Sequence, residues 1–377
     1  MVFLSNPAFG GVKPTLRPTF GGAPPMLKKT ILPRQSTVRF NSKRFLKYSL
    51  LVLLALFLLF LGYLFIGSPE PAEKINWGVN FSQKHSEKLG LDWKENYLAL
   101  LDDLGVKRIK VAAHWDLIEP REGEYEFKDL DWQIGEADKR GAKILLVIGM
   151  RTTRWPECHI PEWAANLEKE KQQEKILRML QETVSRYKDE DSIWAWQVEN
   201  EPFFPFGNCP WADKKFFKKE IDLVKSLDSQ KRPIVVSDSG EGSFWIQAAR
   251  FGDMVGTTMY KKVWFRQLGF YIHYPFPPVF YWRKALFIKK IFGKEVICVE
   301  LQAEPWGPAL LYDSPLEEQE KTMNLEQFKK NIDFAKKTGL KEFYLWGAEW
   351  WFWLKEKQNK PEIWEEAERL FKESCCL

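Results

Sequence analysis

Glutamates are the residues with the most chemistry to offer in this 377-residue sequence. Two of them close short apolar runs. Glu201 ends Ile193-Trp-Ala-Trp-Gln-Val-Glu-Asn-Glu-Pro202, and Glu300 ends the apolar part of Val296-Ile-Cys-Val-Glu-Leu-Gln302. They stand 99 residues apart, three repeats of about 33. Two carboxyl groups that share a pocket can work at a sugar's anomeric centre: one protonates the leaving oxygen, and the other attacks the carbon or activates water. A separation of about 5–5.5 Å goes with retention of configuration and about 6.5–9.5 Å with inversion. Glu201 would need a raised pKa from partial burial beside an ionised Glu300. Four histidines and five cysteines form neither C-x-x-C nor H-x-x-x-H, and no G-x-x-x-x-G-K-[ST] or G-x-G-x-x-G run occurs. Zinc fingers, zincins, P-loop and dinucleotide enzymes are thereby disfavoured, and no metal or organic cofactor is expected.

The elements that must position this pair follow from periodicity. Strands are expected at Asn76–Phe81, Arg108–Ala113, Lys143–Ile148, Trp194–Val198, Ile234–Ser237, Met254–Met259, Val296–Val299 and Phe343–Trp346. Helical periods lie between them, at Trp93–Leu104, Leu130–Arg140, Leu167–Tyr187, Trp211–Leu227, Ser243–Phe251, Trp282–Ile291, Leu316–Thr338 and Ile363–Lys372. Several stop at glycine, as at Gly105, Gly141 and Gly339, the usual left-handed helix end. Eight strands alternating with eight helices predict an α/β fold, a (β/α)8 TIM barrel over residues 75–377, in preference to a doubly wound open sheet. In such a barrel the strand ends carrying Glu201 and Glu300 face one mouth.

Ahead of the barrel, Tyr48–Ile66 is nineteen residues without a charge, long enough as a helix to cross about 30 Å of hydrocarbon. Lys43, Arg44 and Lys47 precede it, so the positive-inside rule puts the N-terminus in the cytoplasm and the barrel outside, at a cell surface or in a periplasm-like space. An uncleaved signal anchor is expected over 48–66, with a cleaved signal peptide as the alternative. Residues 1–47, with six prolines and a charge of +9, read as a disordered basic tail, and 67–74 as a linker. Since the whole chain carries +5, the remainder is acidic at −4 and lacks a basic stripe. No nucleic-acid partner is expected.

The motif Trp196-Gln-Val-Glu-Asn-Glu-Pro202 resembles the Asn-Glu-Pro signature that ends strand four in clan A glycoside hydrolases, the cellulase-like family 5 and its relatives. The resemblance implies that Glu201 is the general acid/base, that Asn200 binds the sugar 2-hydroxyl, and that Glu300 at the end of strand seven is the nucleophile. It further implies that Tyr260 hydrogen-bonds the nucleophile and that Trp346 floors the sugar site. Trp115-Asp-Leu-Ile-Glu-Pro-Arg-Glu-Gly-Glu-Tyr-Glu-Phe127 resembles the loop after strand two, which brings Trp115 into the substrate site. Lys110 stands where many members carry an arginine that touches the nucleophile, and Arg151 is a further candidate cation. Glu304 is a rival nucleophile.

Trp350 and Trp351 could add stacking faces for pyranose rings. Cys158 and Cys209 fall in adjacent loops and, in an exported domain, could form a disulfide or remain free thiols. Cys298 reads as a small buried hydrophobe. The apolar loop 264–282 is expected to wall the cleft, with packing on a neighbour or resting on the membrane as the alternatives. Together these expectations describe a membrane-anchored retaining glycosidase that cleaves β-linked oligo- or polysaccharides. A non-catalytic glycan-binding or scaffold barrel and a transglycosidase are the alternatives.

Overall fold

The computed structural model describes residues 42–375, so the basic tail up to residue 41 and Cys376 lie outside the described residues. Eight parallel strands close into a barrel. They are β1 Asn76–Phe81, β2 Arg108–Ala112, β3 Lys143–Ile148, β4 Ile193–Val198, β5 Ile234–Asp238, β6 Met254–Met259, β9 Val296–Gln302 and β10 Glu342–Trp346. Between β6 and β9 the chain adds an antiparallel hairpin, β7 Lys262–Phe265 with β8 Phe270–His273. Around the barrel the order is β1-β10-β9-β6-β5-β4-β3-β2, each strand pairing with its sequential barrel neighbours. The expected TIM barrel is the observed fold, and strand boundaries shift by no more than three residues.

Two apolar layers hold it together. Inside the barrel, Leu145, Ala195, Val235, Ile297, Val299 and Tyr344 pack as a plug. Outside it, alternate strand residues such as Ile144, Trp196, Val236, Val255 and Cys298 meet the helices. Cys298 is fully buried. Strict alternation in β9 would send Val299 inward and Glu300 outward. A register slip against β6 changes the outcome for Glu300: Thr257 pairs with Cys298, but Thr258 pairs with Glu300, which leaves Val299 as the extra residue. A bulge of this kind re-aims the following side chain, and Glu300 reaches the mouth.

Three departures from the expected elements have simple causes. The predicted helix Leu316–Thr338 is two, Leu316–Gln319 and Leu325–Lys336, because Asn324 starts the second by accepting the Gln327 amide at 2.9 Å. The helix expected from Trp282 begins at Pro278, where proline suits the first turn. Trp350 and Trp351 lie on an unpredicted helix, Ala348–Gln358, and both are buried. Their indoles donate to Gln319 Oε1 at 2.7 Å and to the Ala303 carbonyl at 2.8 Å. They are core residues, which removes them as stacking faces.

The N-terminal helix runs Ser42–Phe65, six residues earlier than the expected span, so Ser42–Lys47 is helical. Its stretch Phe45–Phe65 is long and apolar enough to cross a membrane. By compactness the chain divides into one unit up to Leu56 and a second, Phe57–Leu377, which contains the last turns of this helix and the whole barrel.

Close backbone approach at the mouth gives a test of the fold. A Cβ at Gly240 would fall 1.8 Å from the Thr258 carbonyl oxygen. Gly240→Ala is therefore expected to cost about 1–3 kcal/mol of stability, read as a lowered melting temperature by circular dichroism. An unchanged melting temperature would contradict the contact.

Candidate active site

All the polar side chains singled out at the strand ends gather at the C-terminal mouth of the barrel, where a TIM barrel carries its chemistry. Glu300, buried, accepts a hydrogen bond from Lys110 Nζ at 3.1 Å on Oε1 and from Tyr260 Oη at 3.0 Å on Oε2. Lys110 comes from β2 and Tyr260 from the end of β6. Each carboxylate oxygen thus has its own donor. Lysine here supplies the positive charge without the planar fork of an arginine.

Glu201 stands three strand steps away around the barrel, just beyond the end of β4, in a left-handed backbone conformation with φ 43°. Its amide donates to Ser237 Oγ at 2.8 Å, and its Oε1 lies 3.5 Å from Thr258 Oγ1. Thr258 is the register partner of Glu300, so the same residue of β6 borders both acids. Burial first, and then the negative charges of Glu300 and Glu157, push the Glu201 carboxyl well above the ordinary range. The two acids are thus treated unequally by their surroundings.

Asn200 is pinned between two partners. Gln197 Nε2 donates to its Oδ1 at 2.9 Å, and its Nδ2 donates to Glu157 Oε2 at 3.1 Å. Glu157 is the residue sequence reasoning missed. It sits in the loop after β3, is buried, and has a carboxyl pushed by burial to about 8. Arg151 lies beside it, with Nε 3.9 Å from Glu157 Oε2 and Nη2 donating to the Phe206 carbonyl at 2.7 Å. It faces the acid/base side of the mouth and does not touch Glu300. The disulfide Cys158–Cys209, with Cα atoms 5.2 Å apart, ties this loop to the one after β4.

Glu304 belongs to a different cluster. Arg154 donates to Glu304 and, at 2.7 Å, to Glu349 Oε2, while Trp346 Nε1 donates to Glu304 Oε1 at 2.7 Å. Burial pushes Glu304 up, but the Arg154 charge, the neighbouring His85 and the Arg154 hydrogen bond outweigh it and hold the carboxyl down at about 2. Its Oε1 takes both donors and its Oε2 faces His85 Nε2 at 3.7 Å, so this carboxylate is tied to its own cluster. Trp346 is buried, and one face is covered by the Arg154 guanidinium at 4.1 Å. An open floor for a sugar is therefore not what this indole offers. Trp115 is corrected more strongly: it is fully buried, packs edge-on against Trp163 and donates to Glu119 Oε2 at 2.8 Å.

The partly exposed aromatics at the mouth are others. Tyr260, Trp306, Phe206 and Trp155 form an arch, with successive centroids 5.2, 5.8 and 6.1 Å apart. The segment read as a cleft wall is the β7–β8 hairpin and the start of the next helix, and the hairpin joins the arch where Trp264 N donates to the Trp306 carbonyl at 2.9 Å. Arg154, Glu157 and Trp155 share one dense run, Arg151-Thr-Thr-Arg-Trp-Pro-Glu-Cys158. That concentration of polar residues was the available signal. Among the described residues no group of three His, Cys, Asp or Glu is placed to hold a metal ion.

The Glu157 carboxyl gives a pH test. Its folded value of about 8 exceeds the ordinary 4.5, so an unfolded chain releases this proton first. The stability it contributes is complete below pH 4.5 and is lost as pH rises to about 8. Urea unfolding at pH 5 and pH 8 should show a smaller loss for Glu157→Gln than for the wild type. Equal losses would place the Glu157 carboxyl in water.

A family profile described as glycoside hydrolase 42, beta-galactosidase, matches residues 87–172. Among solved structures, GH5_18 from Bifidobacterium longum subsp. longum, in complex with Manβ1-4GlcNAc, aligns with a TM-score of 0.52 at 14% identity, covering 72% of this chain and 68% of that one. GH5_18 from Streptomyces cattleya, in complex with GlcNAc, gives 0.51 at 12% identity over 74% and 71%. An exo-β-1,4-mannosidase from Opitutaceae bacterium strain TAV5 gives 0.50 at 13% over 74% and 53%. The chain therefore shares its (β/α)8 fold with these proteins, one of which is named as an exo-β-1,4-mannosidase.

Proposed function

We propose that the protein is a retaining glycoside hydrolase acting on a β-linked oligo- or polysaccharide, with Glu201 as general acid/base and Glu300 as nucleophile. The observation that carries this reading is the unequal treatment of two buried carboxyls in one mouth. Glu300 receives one donor on each oxygen, from Lys110 and from Tyr260, whereas burial and nearby negative charge push the Glu201 carboxyl well above the ordinary range. In the first step Glu300 attacks the anomeric carbon while Glu201 gives its proton to the departing oxygen. In the second, Glu201 takes a proton from water as the water oxygen bonds to the anomeric carbon, which breaks the bond to Glu300 and releases the sugar with net retention. Asn200 and Glu157 would meet the hydroxyls of the reacting ring, and the arch of Trp306, Phe206 and Trp155 would stack on neighbouring sugars.

The same proposal includes the anchor. Residues 48–66 would hold the chain in a membrane as an uncleaved anchor, 67–74 would link it, and the domain 75–377 would work outside the cytoplasm. The disulfide Cys158–Cys209 supports export, because such bonds persist in oxidising compartments.

Turnover of a panel of aryl β-glycosides tests the assignment. Glu300→Gln should lose more than about a thousandfold in kcat/KM with the fold intact, and near-normal turnover would refute it. The pH profile supplies a separate check. Activity needs Glu201 protonated, so it should fall as pH rises through the raised Glu201 pKa. Glu201→Gln should abolish that alkaline limb on substrates whose leaving group needs no proton. Persistence of the limb would assign it to another group.

A further inference from the structure

The last turns of the N-terminal helix lie against the rim of the barrel mouth. The Phe65 ring is 6.1 Å from Phe276 and 5.7 Å from Phe280, at the end of the loop after β6 and the start of the helix Pro278–Phe292. Arg283 donates to the Ile66 carbonyl at 3.0 Å and lies 4.0 Å from the Tyr63 ring centroid. One turn further back, Phe60 is 6.4 Å from Phe244, in the loop after β5. All these barrel residues follow the C-terminal ends of β5 and β6, the end that carries Glu201 and Glu300.

Depth follows from the helix geometry. The apolar stretch Phe45–Phe65 has 21 residues, about the thickness of one hydrocarbon layer at 1.5 Å per residue. Its final turn therefore sits at the hydrocarbon boundary, where a tyrosine paired with an arginine is at home. Phe60 is five residues short of that end, about 7.5 Å deeper. Phe244 touches it and is itself 48% exposed. A half-exposed phenylalanine at that level meets lipid. Leu268 and Phe270, at the hairpin tip after β6, are 58% and 50% exposed.

From this placement we infer that the barrel mouth rests on the bilayer along its β5–β6 rim, and that its substrate is a saccharide carried on a lipid of that membrane. The inference rests on the glycosidase reading and narrows its substrate. A mouth held at headgroup height meets sugars that project a short distance from the lipid surface, and the exposed Phe244, Leu268 and Phe270 would receive the first methylenes of the carrier.

Two measurements on the full chain in phosphatidylcholine/phosphatidylglycerol vesicles test it. In a Cys375→Ser, Cys376→Ser background, a bimane fluorophore is placed at Phe244→Cys or at Lys139→Cys. Lys139 is the exposed end of the helix following β2, on the far side of the barrel. Lipids with a nitroxide near the headgroup should quench the probe at 244 strongly and the probe at 139 weakly. Equal weak quenching overturns the inference and points to a protein partner or a second copy over Phe244. For the substrate, each aryl glycoside that the wild type hydrolyses is compared with the same sugar on an octadecyl chain in the vesicle. Phe244→Asp, and independently Leu268→Asp, should lower turnover of the lipid-borne sugar by about tenfold or more and leave aryl glycoside turnover unchanged. Equal falls on both substrates, or no fall on either, overturn it. Failure of the wild type on every glycoside would strike the glycosidase reading instead, while the quenching contrast still decides where the rim lies.

Discussion

Two buried carboxyl groups in one mouth cannot ionise independently, because burial weakens screening and each charge raises the cost of the next. The architecture around Glu201 and Glu300 is organised by that repulsion. Lys110 and Tyr260 supply one donor to each oxygen of Glu300. Glu201 is left with a distant hydroxyl, a serine on its own amide and burial. Nothing near it rewards ionisation enough to overcome Glu300. The asymmetry comes from three different strands, so it depends on barrel closure and not on a local sequence motif.

A second buried network balances the first on the other side of the mouth. Arg154 joins Glu304 to Glu349, Glu349 Oε1 accepts the Ser82 amide at 2.6 Å, and Trp346 lies beneath the guanidinium. Through these contacts the loops after β1, β3, β9 and β10 are fixed relative to one another. A buried ion pair adds little net stability once desolvation is counted, yet removing one partner strands the other at a cost of about 3–5 kcal/mol. Its contribution is positional: Ala303 and Glu304 follow Glu300 within four residues, and a drifting Glu304 would carry the end of β9 with it.

Much of this was legible in the residues, and the limits have physical causes. The barrel was readable because apolar runs and helical periods alternate over 300 residues with glycine stops. Glu201 and Glu300 were readable as polar endings of apolar strands. What made Glu300 point inward was not readable, since a bulge at Val299 changes alternation without changing composition. Tryptophans misled most. Trp115, Trp350 and Trp351 satisfy their indole N–H inside the core, and sequence cannot distinguish that from an indole at a binding surface. Glu157 was passed over because no apolar strand precedes it; its position depends on a loop path that only tertiary contacts define.

The bond between Cys158 and Cys209 joins two loops that elsewhere in such barrels vary separately. Here the segment from Arg151 to Cys209 holds Arg154, Glu157, Asn200, Glu201 and half of the aromatic arch. An inherited change in one loop must therefore remain compatible with the other. The loops after β5 and β6 lie outside this cross-link, so they can change without disturbing the linked pair.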